Sequence, residues 1–119
     1  MWIALYVLIT HWVCDFVIQR GDMIAGIADK VYIRKHCVKY AIAFPASLII
    51  LATFLNCSLF GFLLFCAIAV GTHTLIDAFA IPTATHAFSI RDYKTGFVLL
   101  GLDQLLHVSA LLFSLPLLQ

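Results

Sequence analysis

Three aspartates of this 119-residue chain lie in stretches that are otherwise almost wholly apolar, and each has a histidine four positions away. The pairs are His11 with Asp15, His73 with Asp77, and Asp103 with His107. Residues four apart on a helix stand on one face, a turn from each other, so each pair points two ligand-capable groups in one direction. Imidazole nitrogen and carboxylate oxygen are ligands for zinc and similar divalent ions. Six such groups are too many for one tetrahedral zinc. Either three or four hold one ion while the rest form Asp–His pairs behind it, or two ions are held, as in carboxylate-rich helical bundles. The chemistry of such a centre is metal-assisted hydrolysis, with one of Asp15, Asp77 or Asp103 serving as base toward water. Gln19 and Gln104 lie beside the pairs and are expected to hydrogen-bond them, with His36 at the rim.

The elements that must position these residues are membrane helices. Hydrophobic residues make up 64% of the chain and charged residues 11%, against about 25% charged in ordinary soluble domains. A soluble domain could not cover its surface with so few charges, and four apolar spans of about 20 residues would use about 80 positions. The spacing predicts one all-α membrane domain over 1–119, a bundle of four transmembrane helices at about 1–18, 37–55, 59–81 and 95–118. The first run is read as a retained helix, because it has no basic leader and carries His11 and Asp15 where a signal peptide would be apolar. Residues 23–28 could lie as a short interfacial helix. Pro45 is expected to kink the second span, and Pro82 to close the third, leaving 83–93 as a loop that holds His86. This composition excludes a nucleic-acid module, a disulfide scaffold and a separate soluble catalytic domain. Cys14 and Cys66 read as small packing residues.

All seven Lys/Arg fall in or beside the two segments joining spans one to two and three to four: Arg20, Lys30, Arg34, Lys35, Lys39, Arg91 and Lys94. The positive-inside rule therefore puts both basic segments in the cytoplasm and both termini outside, in a bacterial inner membrane. At about 1.5 Å per residue, His11/Asp15 and His73/Asp77 lie roughly 6–12 Å in from the cytoplasmic ends, and Asp103/His107 at similar or greater depth. The three pairs can meet in one layer. The faces that carry them are small or polar apart from two leucines, as helix-packing surfaces in membranes are. They run Ala4, Leu8, His11, Asp15 on span one; Cys66, Ala69, His73, Asp77, Ala80 on span three; and Gly96, Leu100, Asp103, His107, Ala110, Ser114 on span four. Span two offers a weaker version in His36, Tyr40, Ala43 and Ser47.

An Asp within a membrane helix costs at least about 2.5–3.5 kcal/mol on insertion scales, so three of them require a reason. A divalent metal, zinc favoured, is one. A structural Asp–His network is another, in a non-enzymatic holin-like protein or one that docks on a host membrane complex. A proton or ion path is a third, and it would need a homo-oligomer, since the outer half of every span is almost wholly apolar. For the metal centre the partners are the bilayer and a lipid or lipid-linked substrate reaching the site from the cytoplasmic half.

His-Trp-Val-Cys-Asp-Phe-Val-Ile-Gln at 11–19 resembles the H-x-x-x-D-F-x-x-Q signature of the DUF3307 family of small bacterial and phage membrane proteins. His-Thr-Leu-Ile-Asp at 73–77 and Asp-Gln-Leu-Leu-His at 103–107 are similar to its later H-x-x-x-D and D-Q-x-x-H blocks, in the same order. His36 matches the histidine that opens the family's second helix. The resemblance spans essentially the whole chain and implies no particular reaction. The pattern is also similar to that of membrane proteins labelled metal-dependent hydrolases. One departure is that Ala78–Pro82 is uncharged, where a basic residue often follows the second block.

The charge asymmetry makes a direct forecast. Alkaline phosphatase fused at residue 119 should be active and a green fluorescent protein fused there dark; the reverse pattern would invert the topology.

Overall fold

A computed structural model describes residues 1–18 and 30–118, all of them helical or in short connections. Helix α1 (Trp2–Trp12) runs into a π-helical segment (Val13–Val17). Three long helices follow: α2 (Lys30–Phe54), α3 (Leu59–Ser89) and α4 (Tyr93–Ser114), the last ending in a 3₁₀ turn (Leu115–Leu118). Three stretches are long and apolar enough to cross a membrane: Tyr32–Phe54, Leu59–Ser89 and Tyr93–Leu118. The apolar helix Trp2–Val17 is shorter, about 24 Å at 1.5 Å per residue. Gln19 and the interfacial helix expected at 23–28 lie outside the described residues.

Polar signals too short to be obvious set the connections. Helix α2 ends with Asn56 in the left-handed region at φ 51°, where the Cys57 amide donates to the Ala52 carbonyl and the Asn56 amide to Thr53. Helix α3 ends the same way on Arg91, φ 62°. There the Asp92 amide donates to Ala87 and that of Arg91 to Phe88. Both are left-handed helix stops of the kind usually built on glycine. The next helix starts at once. The Gly61 amide donates to Ser58 Oγ at 3.0 Å and the Thr95 amide to Asp92 Oδ1 at 3.1 Å, and the Thr95 bonds hold the Asp92 carboxyl below its ordinary value. Connections this short force α2, α3 and α4 into antiparallel neighbours.

Pro82 does not close the third helix, which continues to Ser89. Pro82 has no N–H to donate to the Ala78 carbonyl, yet the helix runs on through that one lost bond, and at the next position Thr83 Oγ1 donates to the Phe79 carbonyl at 2.6 Å. The loop expected at 83–93 shrinks to the turn after Ser89, and His86 is an exposed residue of the last helical turn. Helix α2 likewise begins earlier than the expected span at 37–55, so His36 lies within it and not at its mouth.

The interior is layered along the helix axes. One end is an apolar core of Val7, Phe44, Leu48, Leu51, Phe65, Leu111 and Leu118, with Cys14 and Cys66 as small fillers. The buried face of α2 is Tyr40, Phe44, Leu48 and Leu51, whereas Ser47 is exposed and bonds its own helix at Ala43. Large side chains such as Ile50, Phe54, Phe60, Phe79 and Phe113 are exposed. Buried polar groups with an apolar exterior invert a soluble protein, as a lipid solvent demands.

Close backbone approach is needed at Gly61, where an added Cβ would run into the Leu117 carbonyl, whereas Gly71 has open space. Gly61→Ala should therefore destabilise the bundle by about 1–3 kcal/mol and Gly71→Ala should not, as read by thermal unfolding in detergent.

Candidate metal centre

Beyond the apolar core, all four helices contribute to one buried layer. Helix α1 and its π-helical continuation supply His11 and Asp15, α2 supplies His36, α3 His73 and Asp77, and α4 Asp103 and His107. All seven are buried, none more than 7% exposed. The π turn, closed by the Ile18 amide donating to the Val13 carbonyl, carries Asp15. Such turns inside helices often mark functional sites.

The close contacts run mainly between helices, not along them. His36 Nε2 lies 2.8 Å from Asp77 Oδ2 and 3.1 Å from Asp15 Oδ1. Asp77 Oδ2 is also 3.2 Å from His73 Nε2, and its other oxygen is 3.4 Å from His107 Nε2. The pairs read from sequence are longer, with one exception. His11–Asp15 is 3.9 Å and Asp103–His107 3.6 Å, while His73–Asp77 is the close one at 3.2 Å. His36, expected at the rim, thus bridges two carboxylates in the middle of the layer.

Rings stack around this layer. Tyr40 lies flat on His73, with centroids 3.6 Å apart, and its hydroxyl is hydrogen-bonded to His11 Nδ1 at 2.9 Å. Tyr40 was visible in the sequence only as one member of a weak stripe; its spacing of four from both His36 and Phe44 was the available signal. Gln104 donates to Asp103 Oδ2 at 2.9 Å and to Asp15 Oδ2 at 3.4 Å.

The donor atoms fall into two sets whose members lie within 4.8 Å of one another. One is Asp15, His36, His73 and Asp77; the other is Asp77, Asp103 and His107. His11 belongs to neither. Two ligands about 2.0–2.1 Å from a tetrahedral ion stand about 3.3 Å apart, close to the contacts just described. Of eight buried side-chain nitrogen and oxygen atoms without a hydrogen-bond partner among the described residues, seven belong to this layer, His73 Nε2 and Asp77 Oδ2 among them. These two stand at ion-pair distance but not in hydrogen-bond geometry.

A cavity of about 460 Å³ adjoins the layer, a volume usual for small-molecule sites. Asp15, His36, Asp77, Asp103 and Gln104 form its polar lining; Phe16, Tyr32, Ile81, Ala84, Phe88 and Leu100 are among its apolar walls.

Fold and layer together define a helical membrane-type protein with a buried His/Asp cluster able to hold a metal ion. The family profile described as "Protein of unknown function (DUF3307)" matches residues 3–117, and the chain belongs to that family. No curated protein and no solved structure matches it.

Tyr40→Phe keeps the ring on His73 and removes the hydroxyl from His11. It should lower stability by about 0.6–1.7 kcal/mol, the range for polar contacts between membrane helices, and Tyr40→Leu by more, as read by unfolding in mixed micelles.

Proposed function

We propose that this chain is a four-span bacterial inner-membrane protein, both termini outward, whose His/Asp layer holds a divalent metal, zinc favoured, for hydrolysis of a lipid or lipid-linked substrate. The observation that carries the reading is the convergence of buried ligand atoms of Asp15, His36, His73 and Asp77 within 4.8 Å of one another, with His73 Nε2 and Asp77 Oδ2 among them lacking a hydrogen-bond partner. A purely structural network would pair donors with acceptors, because an unpaired polar group in an apolar interior is costly. Here His73 Nε2 and Asp77 Oδ2 are buried 3.2 Å apart without a hydrogen-bond partner.

The residues have separable parts. Asp15, His36, His73 and Asp77 would hold the ion. Tyr40 fixes the His11 ring and covers one face of His73. Asp103, on the cavity wall and steadied by Gln104, is placed to take up a proton. When bound, the ion supplies a Lewis acid and water acidified toward neutrality. The apolar walls of the cavity suit the chain of an amphiphile, with its polar end against the carboxylates. Entry from the cytoplasmic half follows from the basic segments, which put the cavity end of the helices on that side.

Protein purified in detergent without chelator should retain at least one equivalent of divalent metal, and His73→Ala with Asp77→Ala should lose nearly all of it. A content far below one per chain, unmoved by that double replacement, would falsify the reading.

A further inference from the structure

The layer holds more ligands than one ion can use, and their arrangement divides them. Asp77 belongs to both sets of donors. Its Oδ2 faces His36 and His73, while its Oδ1 faces His107. One carboxylate thus turns one oxygen to each set.

The hydrogen bonding of His107 sharpens this. Its Nδ1 lies 3.0 Å from the Asp103 carbonyl oxygen, which can only accept, so Nδ1 carries a proton and donates it. A metal-ligating histidine is held in just this way, its far nitrogen bonded to a carbonyl or carboxylate. In neutral His107 the Nε2 is then an acceptor, and it points at an oxygen of Asp77 3.4 Å away. Two acceptors do not sit together in an apolar interior without a positive charge between them. At Asp103, Gln104 donates to Oδ2, while Oδ1, 3.6 Å from His107 Nδ1, is buried without a hydrogen-bond partner, as is His107 Nε2. The two residues are 7% and 2% exposed.

We propose that the layer is a dinuclear centre, with a second divalent cation held by Asp77, Asp103 and His107 and the Asp77 carboxylate shared between the two ions. It rests on the metal-binding reading above and adds to it a second site. The second set has three protein ligands, the number of sites that keep a position for water or substrate. Asp77 and Asp103 line the cavity, as do Asp15 and His36 of the first set, so both ions would border the amphiphile, and its ligand class is an ester or phosphoester with an anionic oxygen. Paired ions of this kind clamp both the attacking and leaving oxygens in hydrolytic enzymes.

Metal analysis after purification without chelator, with saturating zinc added and the excess removed, tests the stoichiometry. Wild type should hold two equivalents per chain and Asp103→Asn with His107→Gln one. One equivalent in both proteins overturns the dinuclear centre and leaves the single-metal reading standing; none in either overturns both. A second measurement needs no variant. Wild type loaded with Mn²⁺ should give the broadened paramagnetic resonance spectrum of two exchange-coupled ions, and a simple six-line spectrum at one Mn²⁺ per chain overturns the proposal. If His107 were instead protonated to pair with Asp77, that six-line spectrum is what would be seen.

Discussion

A carboxylate in the middle of a lipid-embedded bundle must be answered by positive charge or by donors, and Asp77 is answered by three histidines at 2.8–3.4 Å. Those histidines come from three different helices, α2, α3 and α4. The packing of the long helices and the compensation of one side chain are therefore the same problem. Moving any helix by a turn would break a contact to Asp77 and leave a charge or a lone pair buried alone, at a cost of several kcal/mol. Lipid gives helices little hydrophobic reason to associate, so the register of α2, α3 and α4 rests heavily on this layer.

The apolar end of the bundle has a complementary part. Phe44, Leu48, Phe65 and Leu118 fill the interior on one side of the layer, and a cavity adjoins it on the other. The layer is thus sealed from one end and approachable from the other. Ser47, Thr53, Thr72 and Thr83 each donate to a carbonyl of their own helix, so these four hydroxyls find partners without water. The polar groups that escape such local satisfaction are concentrated where the helices meet.

Much of this was legible from residue types alone. A histidine and an aspartate four apart in an apolar run stand out in any geometry, and Asp15, His73, Asp77, Asp103 and His107 were all found that way. Arg34 and Lys35 set His36 at the rim of the apolar run, although the spacing His36, Tyr40, Phe44, Leu48 continues one helical face. Pro82 commonly ends a helix in soluble proteins, but here the helix runs seven residues past it, to Ser89, and nothing local to the proline announces that. The stop at Arg91 carries no glycine to announce it. Which carboxylate sits between which histidines depends on how four helices cross, and no local pattern encodes that.

The π-helical segment at Val13–Val17 has a consequence for how this stretch can vary. A π turn accommodates one residue more than an α turn, and removing a residue from a helix rotates everything beyond it by about 100°. Asp15 sits inside the segment, one turn after His11. The number of residues between Trp12 and Ile18 is fixed by where the carboxylate must arrive. At this point the chain keeps a length as strictly as elsewhere it keeps a residue.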